Sequence, residues 1–140
     1  MKTKIAKNFD WEMSHRLPDH KGLCRNIHGH SYKMRVELEG EPNSQSMVID
    51  YYDMKLVVSP LLEKLDHCFA CEASDSVMIN FLKKNDFKHV VFDFHTTAEN
   101  LAVYFLDELA PLFKKYDNIN KLTVRICETV DVFAEVSRAV

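Results

Sequence analysis

Strict alternation between two kinds of side chain runs from His28 to Glu39, and it limits the fold more than any other feature of the chain. One set of alternate positions is apolar, aromatic or imidazole: His28, His30, Tyr32, Met34, Val36 and Leu38. The other set is polar: Ser31, Lys33, Arg35, Glu37 and Glu39. A period of two is typical of a β-strand with one buried face. We therefore predict a long amphipathic strand in a sheet that has one covered face.

A second alternating segment lies near the start of the chain. Its odd positions carry Ile5, Phe9, Trp11 and Met13 and lead in the same register to His15. This pattern predicts another strand, which ends at His15. The segment EPNSQS has the composition of a hairpin loop, so we expect MVIDYY to form a third, antiparallel strand. Asp53 is the predicted cap of the helix that follows.

The rest of the chain predicts two helices and two further strands. Apolar residues follow helical spacing from Met54 to Leu65 around Pro60, and again through TTAENLAVYFLDELAPLFKKY. HVVFDF and KLTVRICE are suited to strands. We predict an α+β fold in which helices cover one face of an antiparallel sheet. A chain of 140 residues, 46% of them hydrophobic, is expected to form a single domain over residues 1–140.

Charge and hydropathy narrow the class of partner. The 18 basic and 21 acidic residues give a net charge of -3, without the basic stripe of nucleic-acid-binding proteins. We therefore expect a small-molecule ligand and no nucleic acid. No apolar run has the length of a membrane span or of a signal-peptide core, so we expect a cytoplasmic protein without membrane association.

Three histidines form the first candidate site. His28 and His30 are two residues apart on a strand, so both side chains point to one face. Pairing of the first two strands would bring His15 beside them. Three neutral nitrogen ligands with one open position are typical of catalytic zinc. The alternative for an isolated His-x-His is a polar strand start without metal.

Acid–base groups accompany the histidines in the sequence. Cys24 precedes His28 by four residues, and a zinc ion with nearby imidazoles would favour its thiolate, which can accept a proton. Asp66 and His67 form a possible second acid–base unit, in which the carboxylate fixes the imidazole tautomer. Considered alone, an Asp-His dipeptide is usually a surface feature.

Cys68 and Cys71 form a Cys-x-x-Cys segment. A redox pair or half of a structural zinc site are the sharper interpretations. No second Cys-x-x-Cys is present, and the segment follows a helix, so we favour a role as pocket lining or as redox-sensitive thiols. Cys127 is predicted to be an ordinary buried thiol.

Several ordered motifs together resemble one enzyme family. The segment FDWEMSHRLPDHKGLCRNIHGHSYKMRVELEG resembles the 6-pyruvoyl-tetrahydropterin synthase and 6-carboxy-tetrahydropterin synthase family, whose pattern is Phe-x-x-x-x-x-His followed by Cys-x-x-x-His-x-His. The resemblance continues through VIDYYDMK, LDH, TAENLA and RICET. The chain departs from the pattern at Met13-Ser14, at Thr96 and in LDHCFAC.

The resemblance implies a role for each candidate residue. The implied zinc ligands are His15, His28 and His30, with Cys24 as the proton acceptor. Asp66 and His67 become its acid–base partner. The remaining implied residues contact the pterin: Glu128 on its guanidine-like edge, and Thr97 and Glu99 in the wall of the pocket.

The resemblance also implies an architecture and a reaction. The family has the tunnelling fold, for which we expect a four-stranded antiparallel sheet with helices on one face. Its subunits close into barrels with active sites at their interfaces, usually as a homohexamer built as a dimer of trimers. The implied activity is that of a zinc-dependent lyase of the queuosine pathway, which converts 7,8-dihydroneopterin triphosphate to 6-carboxy-5,6,7,8-tetrahydropterin, acetaldehyde and triphosphate. The alternatives are 6-pyruvoyl-tetrahydropterin synthase of the tetrahydrobiopterin pathway and a non-catalytic pterin- or zinc-binding protein.

Overall fold

Six strands and three α-helices make up the fold of the computed structural model, which describes all 140 residues. The elements follow in the order β1 (Thr3–His15), β2 (His28–Gly40), α1 (Tyr51–Leu65), β3 (Cys68–Glu72), α2 (Ser76–Lys84), β4 (His89–Phe92), α3 (Ala98–Phe113), β5 (Ile119–Cys127) and β6 (Ala134–Ala139). A short 3₁₀ turn, Leu23–Arg25, lies between β1 and β2. No helix has the length and apolar character needed to cross a membrane.

The strands form one mixed sheet in the order β4-β3-β1-β2-β5-β6. The four strands β1, β2, β5 and β6 pair antiparallel, which agrees with the predicted type of sheet, although β6 was not among the predicted strands. The sheet nevertheless has six strands and not four, because β3 pairs parallel to β1 and β4 pairs parallel to β3. A parallel neighbour needs a long connection, and α2 provides it between β3 and β4.

The main core lies between the sheet and two helices. It confirms the period of two in β1 and β2, because Trp11, Met13, Tyr32, Met34 and Val36 are all buried in it. Buried residues of α1 and α3 complete this core, among them Met54, Val58, Leu65, Leu101, Phe105 and Leu109.

Helix α2 packs on the other side of the sheet. Cys68 and Ala70 of β3 face the main core, so Phe69 and Cys71 point the opposite way and pack with Met78 of α2. The helices are therefore divided between two faces, with α1 and α3 on one and α2 on the other.

The segment after β2 differs from the prediction. MVIDYY does not form a strand, since α1 already begins at Tyr51. The Asp50 carboxylate accepts a hydrogen bond from the Tyr52 N–H at 2.7 Å and caps the helix, so the prediction that Asp53 is the cap was wrong. Pro60 lies inside α1 and Pro111 inside α3.

Candidate functional site

Three histidines meet at the end of the β1–β2 ladder. His15 pairs directly with His28, and His30 lies two residues further along β2 on the same face. Their candidate ligand nitrogens all lie within 4.8 Å of one another. The ring centroids are 4.6 Å apart for His15 and His28 and 5.1 Å apart for His28 and His30. The structure thus brings together the three residues that the sequence predicted as ligands.

Backbone carbonyls orient two of these rings. His15 Nδ1 lies 2.9 Å from the Thr96 carbonyl oxygen and 3.1 Å from its Oγ1, and His28 Nδ1 lies 2.7 Å from the Asn26 carbonyl oxygen. A carbonyl only accepts, so each Nδ1 carries the proton and donates. Nε2 of His28 is left for another partner, and Nε2 of His15 has only a long contact of 3.5 Å with the Tyr32 hydroxyl, so both can face a metal ion, as metal-bound histidines require.

Burial lowers the pKa of two histidines of the cluster. The pKa of His15 is lowered from 6.5 to about 4, first by burial and then by repulsion from His28. Burial also lowers the pKa of His30, against an opposing effect of Glu128. His30 Nε2 is itself buried and has no hydrogen-bond partner. Converging imidazoles, one with an unpartnered buried nitrogen, are donors that fit a divalent metal ion such as zinc.

Glu128 connects this cluster to a depression in the surface. Its Oε2 lies 3.8 Å from His30 Nε2. With Thr97 and Glu99 it lines a depression of about 210 Å³, whose wall also includes Phe133. The Thr97 hydroxyl caps α3 by accepting from the Asn100 N–H at 3.3 Å. Three of the predicted site residues therefore share one surface beside the histidines.

Cys24 lies in the loop that joins the two ligand-bearing strands. It is half-buried in the Leu23–Arg25 turn, and its carbonyl oxygen accepts from the Leu17 N–H at 2.8 Å. This loop begins after His15 and ends before His28, at the same end of the sheet as the histidines.

Asp66 and His67 form a pair in a different place. His67 Nδ1 lies 3.0 Å from Asp66 Oδ1, which also accepts from the Glu12 N–H at 2.9 Å. The Glu12 hydrogen bond and the neighbouring imidazole lower the pKa of Asp66. His67 adopts a left-handed φ of 61° and its side chain is 76% exposed. Together with Ser14, Ser31 and His30 it lines a depression of about 360 Å³, which is distinct from the depression lined by Glu128.

No hydrogen bond or ion pair joins the Asp66–His67 pair to the histidine cluster or to Glu128. Ser14 and Ser31 alternate with His15 and His30, so their side chains belong to the opposite face of the sheet. Within one chain the Asp66–His67 pair is therefore not bonded to the cluster, although His30 lines the same depression as His67.

The Cys-x-x-Cys segment does not form a dithiol pair. Cys68 and Cys71 face opposite sides of β3, and both are free thiols. Burial raises the pKa of each to about 11. Cys68 contributes to the wall of the His67 depression, which agrees with the pocket-lining interpretation. Cys127 was predicted to be an ordinary buried thiol, and the structure shows it free and half-buried.

Sequence reasoning missed the groups that orient the histidines. Thr96 is fully buried and holds His15 through its carbonyl and its hydroxyl. Asn26 acts through its backbone, which no side-chain pattern reveals. Tyr32 is also buried, with its hydroxyl 3.5 Å from His15 Nε2. The only available signal was the departure at Thr96 from the usual family pattern.

Comparisons with known proteins identify similar sequences and structures. The model of the family described as 6-pyruvoyl tetrahydropterin synthase matches residues 4–139. A 6-carboxy-5,6,7,8-tetrahydropterin synthase from Haemophilus influenzae is 34% identical and covers 94% of this chain and 96% of its own. A protein of the same name from Aquifex aeolicus is 32% identical, and the match covers 78% of this chain and 80% of that protein.

Solved structures show the same fold at lower sequence identity. The 6-pyruvoyltetrahydropterin synthase of Plasmodium vivax has a TM-score of 0.82 at 22% identity, covering 100% of this chain and 99% of its own. An uncharacterised protein from Wolinella succinogenes has a TM-score of 0.84 at 22% identity, covering 97% and 98%.

Proposed function

Because the chain belongs to the 6-pyruvoyl tetrahydropterin synthase family and has its α+β tunnelling fold, we propose that it is a zinc-dependent 6-carboxy-5,6,7,8-tetrahydropterin synthase. As a cytoplasmic enzyme of the queuosine pathway, it would convert 7,8-dihydroneopterin triphosphate to 6-carboxy-5,6,7,8-tetrahydropterin, acetaldehyde and triphosphate. Residues 1–140 would form its single domain. The observation that carries the proposal is the convergence of three imidazoles beside Glu128.

His15, His28 and His30 would hold the zinc ion. When bound there, zinc would act as a Lewis acid that polarises the hydroxyl groups of the substrate side chain. The chain's own contribution is to lower the pKa of His15 and His30 by burial and to fix the rings of His15 and His28 through the Thr96 and Asn26 carbonyls.

Glu128 would anchor the pterin ring. A carboxylate can accept two parallel hydrogen bonds from a planar aminopyrimidine edge, as it does from a guanidinium group. Its closeness to His30 would place the bound ring beside the ligand cluster. Thr97 and Glu99 would complete the wall of the same depression.

Proton transfer would involve Cys24 on one side of the substrate's carbon chain and His67 on the other side. Cys24 would accept a proton from the substrate carbon chain as a thiolate. His67 Nδ1–H would donate a hydrogen bond to Asp66, which leaves Nε2 of the same ring to exchange a proton with the substrate. Because Asp66 and His67 lie apart from Glu128, we propose that they serve the site of a neighbouring subunit in a homohexamer, a dimer of trimers.

Product analysis tests the reaction. Zinc-loaded protein would be incubated with 7,8-dihydroneopterin triphosphate and the products identified by mass. A 6-carboxy pterin with acetaldehyde is the expected result. A 6-pyruvoyl product would instead identify a 6-pyruvoyl-tetrahydropterin synthase, and unchanged substrate would leave only a pterin- or zinc-binding role.

Two variants separate metal binding from proton transfer. Cys24→Ala should nearly abolish turnover and keep one zinc per chain, since Cys24 is assigned no ligand role. His28→Ala should lose the metal, because two imidazoles remain. Zinc loss in Cys24→Ala, or wild-type zinc content in His28→Ala, would contradict these assignments.

A further inference from the structure

The turn between β3 and α2 carries two buried acidic residues, Glu72 and Asp75, which are only 3% and 4% exposed. Neither contacts the histidine cluster directly. Each is paired instead with a residue that is adjacent in sequence to His15 or to its partner Thr96. Glu72 pairs with His95, and Asp75 pairs with Arg16. His95 precedes Thr96, and Arg16 follows His15.

Glu72 fixes the segment that carries Thr96. Its Oε1 accepts a hydrogen bond from His95 Nδ1 at 2.7 Å. The His95 carbonyl oxygen in turn accepts from the Asn100 side chain at 2.9 Å and from the Thr97 N–H at 2.8 Å. His95 is therefore held at its ring and at its carbonyl, directly before the residue whose carbonyl orients the His15 ring.

Asp75 fixes the other neighbour of His15. Its two carboxylate oxygens accept from Arg16 Nε at 2.6 Å and from an Arg16 terminal nitrogen at 2.7 Å. Such a two-point contact fixes direction as well as distance. The end of β1 is thereby tied to the same turn that holds His95.

The burial of Glu72 is not explained by stability alone. One of its carboxylate oxygens, Oε2, is buried without any hydrogen-bond partner. Burying an incompletely paired carboxylate opposes folding, and an apolar residue would avoid this loss. We therefore assign the Glu72 carboxylate the role of holding His95 in one position.

We propose that Glu72 and His95 are positioning residues for His15, which set the orientation of its ring through the Thr96 carbonyl. The proposal rests on the metal site of the proposed function. It predicts that the hydrogen bond between Glu72 and His95 affects zinc affinity although neither residue is a ligand. Partners beyond the ligands commonly contribute 10- to 100-fold in metal affinity, and we expect about the lower value for this longer connection.

The test compares His95→Ala with a conservative variant and a matched control. The His95 side chain is 64% exposed, so its truncation leaves the core intact. In His95→Asn the amide nitrogen can replace Nδ1 as the donor to Glu72. His89→Ala is the control, because His89 lies on β4 and its Nδ1 bonds only to the Phe87 carbonyl oxygen.

Zinc affinity of the metal-free proteins would be measured by competition with a chromophoric chelator, and the visible absorption of Co²⁺ would report ligand geometry. We expect about 10-fold weaker zinc binding and an altered Co²⁺ spectrum for His95→Ala. His95→Asn and His89→Ala should retain the wild-type affinity and spectrum. Because the Co²⁺ spectrum depends on ligand geometry, a general loss of stability would not reproduce this pattern.

Two results would overturn the positioning role: wild-type affinity and spectrum in His95→Ala, or equal losses in His95→Ala and His95→Asn. Failure of the proposed function is distinguishable, since the wild-type protein itself would then fail to bind one zinc per chain.

Discussion

Among single residues, Gly40 shows most directly how backbone contact restricts side-chain size. A Cβ at this position would lie 2.1 Å from the Asn118 carbonyl oxygen and 3.0 Å from Ile119 Cα. Both are backbone atoms, next to the point where the β2–β5 register shifts between Glu39 and Gly40. The strand can therefore accept a methyl group here only if β2 and β5 move apart.

We expect Gly40→Ala to lower the free energy of unfolding by about 2 kcal/mol, because overpacking forces the backbone to shift. Gly22→Ala is the matched control, since its nearest contact is the end of the exposed His20 side chain at 3.0 Å, and moving that side chain breaks only the exposed hydrogen bond from the Gly22 N–H to His20 Nδ1. Urea unfolding of both variants checks this. Equal midpoints would show that the strand ends separate freely.

His15 makes the stability of the metal-free protein depend on pH. Its pKa is about 4 in the folded chain against an ordinary 6.5, so between these values the unfolded chain binds a proton that the folded chain does not. Stability therefore rises with pH across this window and falls as the pH drops from 7 to 5. From pH 7 to pH 5, the free energy of unfolding of the chelator-treated wild-type protein should fall by about 1–2 kcal/mol more than that of His15→Asn, which lacks the titrating ring. Unfolding of both proteins at the two pH values measures this difference. Identical losses would contradict the neutral burial of His15.

At the scale of elements, α1 contains a residue that disfavours helices. Pro60 has no N–H to donate, and its ring crowds the preceding turn, yet the helix continues to Leu65. Tertiary packing of Met54, Val58 and Leu65 supports the helix through this position.

Replacement of Pro60 by alanine should raise the free energy of unfolding by about 1–3 kcal/mol, because the exposed ring makes way for a helix former with an N–H. Pro42→Ala, in the exposed segment after β2, is the control and should give no gain. Guanidinium unfolding of the two variants and of the wild type measures these free energies. A lower free energy of unfolding in Pro60→Ala would contradict the prediction and would mean that the packing of the helix depends on the proline ring.

Long patterned elements were predictable from the sequence. β1, β2, β5, α1 and α3 have clear periodicity, and the three histidines follow from it. The short strand β4 was predicted from its apolar composition alone. β3 was missed because CFACE is buried on both faces and gives no alternation. β6 was missed for the opposite reason, since most of its residues are exposed. The predicted strand MVIDYY was wrong because Asp50 starts a helix in the middle of an apolar run.

The site was predictable as far as side-chain spacing determines it. Strand pairing sets the distance from His15 to His28, whereas the contacts of Thr96 and Asn26 are made by carbonyls that every residue has. Glu72 was also missed, because its pairing with His95 depends on how distant segments fold together.

For the molecule as a whole, the important feature is the separation of His67 from Glu128. If both residues act in one site, a neighbouring chain has to supply one of them. The two residues line different depressions, and the ring of His67 projects into solvent. In the proposed hexamer, each site would combine the Cys24 loop of one chain with the Asp66–His67 pair of another.

Mixed oligomers test this shared site. Cys24→Ala and His67→Asn are each expected to be inactive, and asparagine tolerates the left-handed backbone at position 67. Co-expressed in equal amounts, they should recover about a quarter of the wild-type activity, because random assortment leaves that share of sites with both groups intact. Continued inactivity of the mixture would place both groups within one chain's site.

The uninterrupted pairing of β1 with β2, from Thr3 opposite Gly40 to His15 opposite His28, has a consequence for how this gene can change. Loss or gain of one codon inside either strand would turn His28 and His30, or His15, to the other face of the sheet. Such a change would damage the fold and the chemistry together, so no intermediate sequence would retain one of them. Length variation among descendants of this gene is therefore expected outside the ladder, for example at positions 42–46, far from the histidines.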